Sequence, residues 1–144
     1  MIVIDFEKEI KDAVEKLTRD GTFRIIEMTY DEKNFGNILI RLKSNANFDI
    51  RFIRDRGDVW CELGLSKQTQ EWFGINDILT IIGIQVVAFG KDLAEVINKT
   101  TDIMNQYFPN IDEAFNEKHF PDTRSKLKML ATKRMMRLFK NVKS

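Results

Sequence analysis

The 144-residue chain holds one cysteine, Cys61, and one histidine, His119. A lone thiol forms no disulfide within the chain, which is the cysteine usage of a reducing cytoplasm. One histidine and one cysteine do not furnish the ligand set of a His/Cys zinc site. The glycines are scattered. Gly74, Gly83 and Gly90 stand alone with no Lys-Ser or Lys-Thr pair behind them, so no phosphate-cradling loop is encoded. The longest apolar run, Ile78 to Phe89, is broken by Thr80, Gly83 and Gln85. It falls short of the ~20 residues that a membrane-spanning helix requires. Asp5, Glu7 and Glu9 stand where a secretory signal would carry a basic end. Repeats, low-complexity tracts and linkers are absent. These absences imply a cytoplasmic protein with no metal, no cofactor and no membrane association.

What is present is an ordinary globular balance, 43% hydrophobic and 31% charged. A chain of this length suits one domain spanning 1–144, able to bury roughly 68–70% of its unfolded surface. Its organising stretch runs from Gly36 to Leu63. In Phe48-Asp49-Ile50-Arg51-Phe52 the aromatic and aliphatic side chains alternate with charged ones, the pattern of a half-buried antiparallel strand. Asp55-Arg56-Gly57 then breaks the run before Val59-Trp60-Cys61-Glu62-Leu63. It suits a three-residue hairpin loop with Gly57 at positive φ. Strands are predicted at Phe23–Tyr30, Asn37–Lys43, Phe48–Arg54 and Val59–Leu63, joined by short turns as a four-stranded antiparallel meander. Cys61 shares a strand face with Val59 and Leu63 and reads as a small core hydrophobe.

Helical spacing brackets these strands. Val3, Phe6, Ile10, Ala13, Val14 and Leu17 mark a helix over residues 3–19, stopped near Gly21. After the sheet, Leu65–Gln70 reads as loop. A short helix follows, N-capped by Asn76 or Asp77 and carrying Ile78, Leu79, Ile81 and Ile82. Residues 84–89 suit either a fifth strand or a buried connector. Asp92–Phe108 is a strong helix that Pro109 ends. Asn110–Glu113 resembles a capping box opening a short helix to about Lys118. Pro121-Asp122-Thr123 starts a final basic helix over about 122–142, with Leu127, Leu130, Ala131, Met135 and Leu138 as its apolar line. The class is therefore α+β, with an N-terminal helix and several C-terminal helices segregated from the strands.

Charge is divided along the chain. Residues 118–144 carry nine basic side chains and one acidic, while residues 1–117 carry fourteen basic and twenty-one acidic. A basic appendage of this kind meets an acidic surface or an anionic partner, or simply solvates the outer face of a helix. Lys133, Arg134, Arg137 and Lys140 are its candidate contacts with nucleic acid. Neither an aromatic stacking motif for RNA nor a Trp-rich apolar face for membranes accompanies them. The second charged cluster, Arg51, Arg54, Asp55, Arg56, Asp58 and Glu62, either cross-pairs around the hairpin or joins Trp60 as a binding surface. Catalysis there would require a deep pocket gathering the carboxylates, which a hairpin tip rarely offers. Trp72 and Phe73, ahead of a helix, either fold back on the sheet or stay out for a partner. Folding back is favoured, because an exposed aromatic pair promotes association.

The run Gly36–Leu42, the segment Phe48–Val59 with its Asp-Arg-Gly break, and Glu71-Trp72-Phe73 followed by Asn76–Leu79 resemble small bacterial immunity-type proteins. Such proteins are encoded beside polymorphic or contact-dependent toxins. The likeness covers about residues 36–83 and leaves both helical ends outside. It implies a non-enzymatic cytoplasmic protein that binds a toxin domain and blocks it by occlusion. Its candidate partner-binding residues are Arg51, Arg54, Asp55, Arg56, Asp58, Trp60, Trp72 and Phe73. A nucleic-acid-associated accessory role for the basic C-terminal helix is the alternative.

Overall fold

Period-two alternation through residues 37–65 builds a sheet with one greasy and one polar face. In the computed structural model, residues 2–67, 71–85 and 88–143 are described, with side chains for 8–67, 71–85 and 88–140. The order is α1 (Ile2–Thr18), β1 (Phe23–Asp31), β2 (Asn37–Ser44), β3 (Phe48–Asp55), β4 (Asp58–Leu65), β5 (Trp72–Gly74), α2 (Ile75–Ile81), α3 (Leu93–Ala114) and α4 (Phe120–Lys143). The strands form one antiparallel sheet in sequential order, β1-β2-β3-β4-β5. The fold is α+β, as the segregation of strands from helices predicts.

Inward-pointing Ile38, Ile40 and Leu42 of β2, Phe48, Ile50 and Phe52 of β3, and Cys61 and Leu63 of β4 are buried. They join one core with Ile10, Ala13, Val14 and Leu17 of α1 and Leu93, Val96, Ile97, Ile103 and Met104 of α3. Val3 and Phe6 of the predicted α1 stripe lie outside the described side chains. Aromatic rings cross this core in a chain. Phe48 touches Phe23, Phe108 and Phe115 at 5.9, 5.4 and 5.6 Å between centroids. Phe115 stacks on Phe120 at 5.6 Å, and Phe120 meets Phe73 at 6.4 Å. Cys61 lies in the core as expected, and burial pushes its thiol up to about 12.

Four details depart from the sequence reading. First, the hairpin turn has two residues. Asp55 pairs with Asp58, and both Arg56 (φ 52°) and Gly57 (φ 88°) are left-handed. That is the twist-matched geometry of tight β-hairpins. Second, Trp72–Gly74 is the fifth strand, and the N-cap of α2 is Gly74 rather than Asn76 or Asp77. Of the alternative fifth strand at 84–89, Ile84, Gln85, Ala88 and Phe89 are irregular, and residues 86 and 87 lie outside the described residues. Third, only Leu127 of the predicted apolar line on α4 is buried, and residues 131–140 are exposed throughout.

Fourth, α3 passes through Pro109 without ending, so the separate helix at 110–118 does not exist. Burial of Ile111, Ala114 and Phe115 anchors the last turn. Asp112 Oδ1 also accepts from Asn47 N at 2.8 Å and Asn47 Nδ2 at 3.1 Å. These contacts outweigh the hydrogen bond that proline cannot donate. Because Pro109 is exposed, Pro109→Ala gives up little packing and restores an N–H. It is expected to stabilise the protein by about 1–3 kcal/mol, seen as a raised urea midpoint.

Candidate partner-binding face

The sheet face opposite the core carries Leu39, Arg41 and Lys43 of β2, Arg51 and Ile53 of β3, and Trp60 and Glu62 of β4. All are half-buried or exposed. The helices contribute their buried side chains to the other face.

At its centre two guanidinium groups stand side by side, since Arg41 is directly across from Arg51 in the β2–β3 register. Like charges so placed are unfavourable on their own. Acidic residues flank the pair at both ends. Glu27 of β1 lies 3.8 Å from Arg41, and Glu62 of β4 lies 2.6 Å from Arg51 Nε. The Arg51–Glu62 contact is a short charge-assisted hydrogen bond that holds the Arg51 side chain flat on the sheet. Trp72 completes the cluster. Its indole sits 4.5 Å from the Arg51 guanidinium carbon and 5.6 Å from that of Arg41. Such cation–π contacts are each worth about 0.5–1 kcal/mol at a partly exposed site.

Gly64 makes this arrangement possible. A Cβ there would stand 2.9 Å from the Glu71 carbonyl oxygen and 3.1–3.2 Å from the indole ring. Only a residue without a side chain lets β5 approach and Trp72 lie across β4. Beside the cluster, Ile53 pairs with both Leu39 and Trp60. That row forms a small apolar strip with Trp60 still 37% exposed.

The structure sorts the sequence-derived residues into three places. Arg51, Trp60 and Trp72 share the open face. Arg54 serves the fold, donating from Nε to the Gly36 carbonyl at 2.9 Å, and burial lowers its pKa. Asp55, Arg56 and Asp58 occupy the exposed hairpin tip, where the Arg56 guanidinium lies 6.0 Å from the Phe35 ring. Phe73 points to the core beside Phe120. The aromatic dipeptide is thus split by strand alternation, Trp72 outward and Phe73 inward. Arg41, which the sequence does not single out, and Glu62, which it places in the charged hairpin cluster, also belong to the group. Their signal is parity, because each falls on the polar face of its strand together with Arg51.

The basic helix contributes differently. Arg124 binds Glu71 at 2.6 Å and Arg134 binds Asp77 at 2.7 Å, so two cations of the appendage meet acidic residues of the body. Hydrogen bonding to Arg124 lowers the Glu71 pKa, and hydrogen bonding to Asp77 raises that of Arg134. Lys133, Arg137 and Lys140 fall on one helical face at i, i+4 and i+7 and are exposed. His119 packs in the loop between α3 and α4, with Nδ1 3.0 Å from Asn116 Oδ1. Among the described residues no three His, Cys, Asp or Glu side chains are grouped to hold a metal ion. No described helix is long and apolar enough to cross a membrane. Comparison of the chain with protein-family models, with curated proteins and with solved structures finds no match.

Proposed function

We propose that this chain is a non-enzymatic, immunity-type binding protein that seats a toxin domain on the open sheet face and blocks it by occlusion. One observation carries the reading: the sheet face opposite the core presents Trp60, Trp72, Arg41 and Arg51 together, the residue types that anchor protein interfaces. The arginines are pre-positioned by Glu62, Glu27 and the indole. Little side-chain entropy is then lost on binding. The guanidinium pair suits a partner carboxylate, and the Ile53–Trp60 strip suits an apolar contact.

The test is stoichiometric binding to the product of an adjacent toxin gene, measured by calorimetry. Trp72→Ala should weaken the complex by about 2–4 kcal/mol, a loss of roughly 30- to 1000-fold. Arg56→Ala at the hairpin tip should change it little. Unaltered affinity in a folded Arg51→Ala/Trp72→Ala double variant would remove this face from the interface.

A second reading draws on the exposed arc of Lys133, Arg137 and Lys140. If α4 engages nucleic acid, reversing these three charges should abolish retention on DNA or RNA at low salt. It should also flatten the salt dependence by about three phosphate contacts. Absence of retention by the native chain would dispose of this reading.

A further inference from the structure

The two edges of the sheet differ. β5 is three residues long and runs straight into α2. β1 is nine residues long, pairs among the described residues with β2 alone and is exposed at every position after Phe23. It contains neither proline nor lysine, the residues that usually blunt an open edge. Its inward-pointing Ile25, Met28 and Tyr30 remain 44–45% exposed, an apolar stripe on the core face that the helices do not cover.

We propose that a second copy of this chain closes this edge, with β1 antiparallel to its counterpart about a two-fold axis at Met28. The strand itself selects that register. Ile26 is the extra residue of a bulge, since Ile25 pairs with Leu42 and Glu27 with Arg41. Arg24, Glu27, Thr29 and Asp31 therefore share one face, and Ile25, Met28 and Tyr30 share the other. Setting Met28 against Met28 of the second copy places Thr29 across from Glu27. Beyond the bulge residue, Tyr30 then faces Ile25 and Asp31 faces Arg24. Apolar meets apolar, and an ion pair closes each end of the ladder.

Neighbouring registers conflict. An axis at Glu27 sets two glutamates opposite each other, and an axis at Thr29 sets Glu27 against Asp31. Opposed like charges are destabilising. Among the described residues Arg24 has no ion-pair partner within the chain, and Asp31 makes only the local bonds to Asn34, at 3.3 Å from N and 2.7 Å from Nδ2. The pairing rests on β1 alone and leaves the open face of the sheet available.

Sedimentation equilibrium of the full chain tests the proposal, with cysteine cross-linking reading the register. The native protein should approach the dimer mass as concentration rises. Arg24→Asp should weaken the dimer about tenfold or more, because both ends of the ladder turn repulsive. Asp31→Arg should do the same, and the double swap Arg24→Asp/Asp31→Arg should restore association. Met28→Cys should cross-link to itself under mild oxidation, and Tyr30→Cys should not. Buried Cys61 stays out of the reaction. A monomer at every concentration would overturn the proposal, as would self-cross-linking of Tyr30→Cys in place of Met28→Cys. A monomer whose Met28→Lys variant fails to hold the toxin would assign the edge to that partner, and would equally overturn it.

Discussion

Phe48→Ala is expected to lower the stability of this protein by about 3–5 kcal/mol, the cost of a large aromatic deletion that the surroundings cannot refill. Phe48 is fully buried at the start of β3. Its ring is the junction of the aromatic chain, touching Phe23 from β1 and Phe108 and Phe115 from the α3 end within 6 Å between centroids. Its backbone carbonyl also accepts the Ser44 hydroxyl, which ties the β2–β3 connection down. Removing the ring therefore takes contacts from the sheet and from α3 at once. Domains of this size have about 5–15 kcal/mol in total, so the variant should be near the edge of folding. Urea unfolding followed by circular dichroism measures it: the midpoint should fall steeply with the slope unchanged. Phe48→Leu, which keeps most of the volume, should cost less than about 1.5 kcal/mol. A loss below about 1 kcal/mol for the alanine variant would mean that the junction is not where the core is held.

The second large effect is expected at a glycine. Gly64→Ala adds one methyl group, yet that methyl collides with the Glu71 carbonyl at 2.9 Å and with the indole of Trp72. Backbone cannot yield as a flexible side chain can, so β5 must move off β4. The expected cost is about 1–3 kcal/mol, the usual range for overpacking. The functional cost is larger than the stability cost suggests, because Trp72 leaves the Arg41–Arg51 pair. Tryptophan emission, read in a Trp60→Phe background, should shift to the red as the indole becomes solvated. If the open face seats a partner as proposed, binding should fall with it. Gly74→Ala is the control. A Cβ at Gly74 meets only Asp77 Oδ2 at 3.9 Å, an ordinary contact, and the change should be nearly silent. Equal effects at the two glycines would refute the packing account.

These two residues also mark how far the chain could be read without its structure. Phe48 was legible, since period-two alternation places it inward wherever a strand forms. The same signal located the four long strands and buried Cys61, and helical spacing located the helices at both ends. Gly64 was not legible, because its neighbour in space, Trp72, comes from another strand and meets it only once β5 docks. Arg41 and Arg51 fall on the polar face by parity, but their opposition is a matter of register, which period two leaves open by any even shift. Local rules failed where distant burial overruled them. Pro109 is a helix stop by backbone chemistry, yet Ile111, Ala114 and Phe115 find places in the core that carry α3 past it. The apolar line of α4 failed in the opposite sense. Its periodicity is sound, but beyond Leu127 only Leu130 is even half-buried, and residues 131–140 are exposed.

What residue order alone determined was the four long strands with their inner and outer sides, the helices at both ends and the α+β class, because alternation and helical spacing are properties of neighbours a few positions apart. Which side chains share a surface was decided only in three dimensions. The Arg41–Arg51–Trp72 cluster, the split of Trp72 from Phe73 and the open edge at β1 all depend on strand order and register. Those are settled by the packing of the whole core, through contacts between residues far apart in the chain.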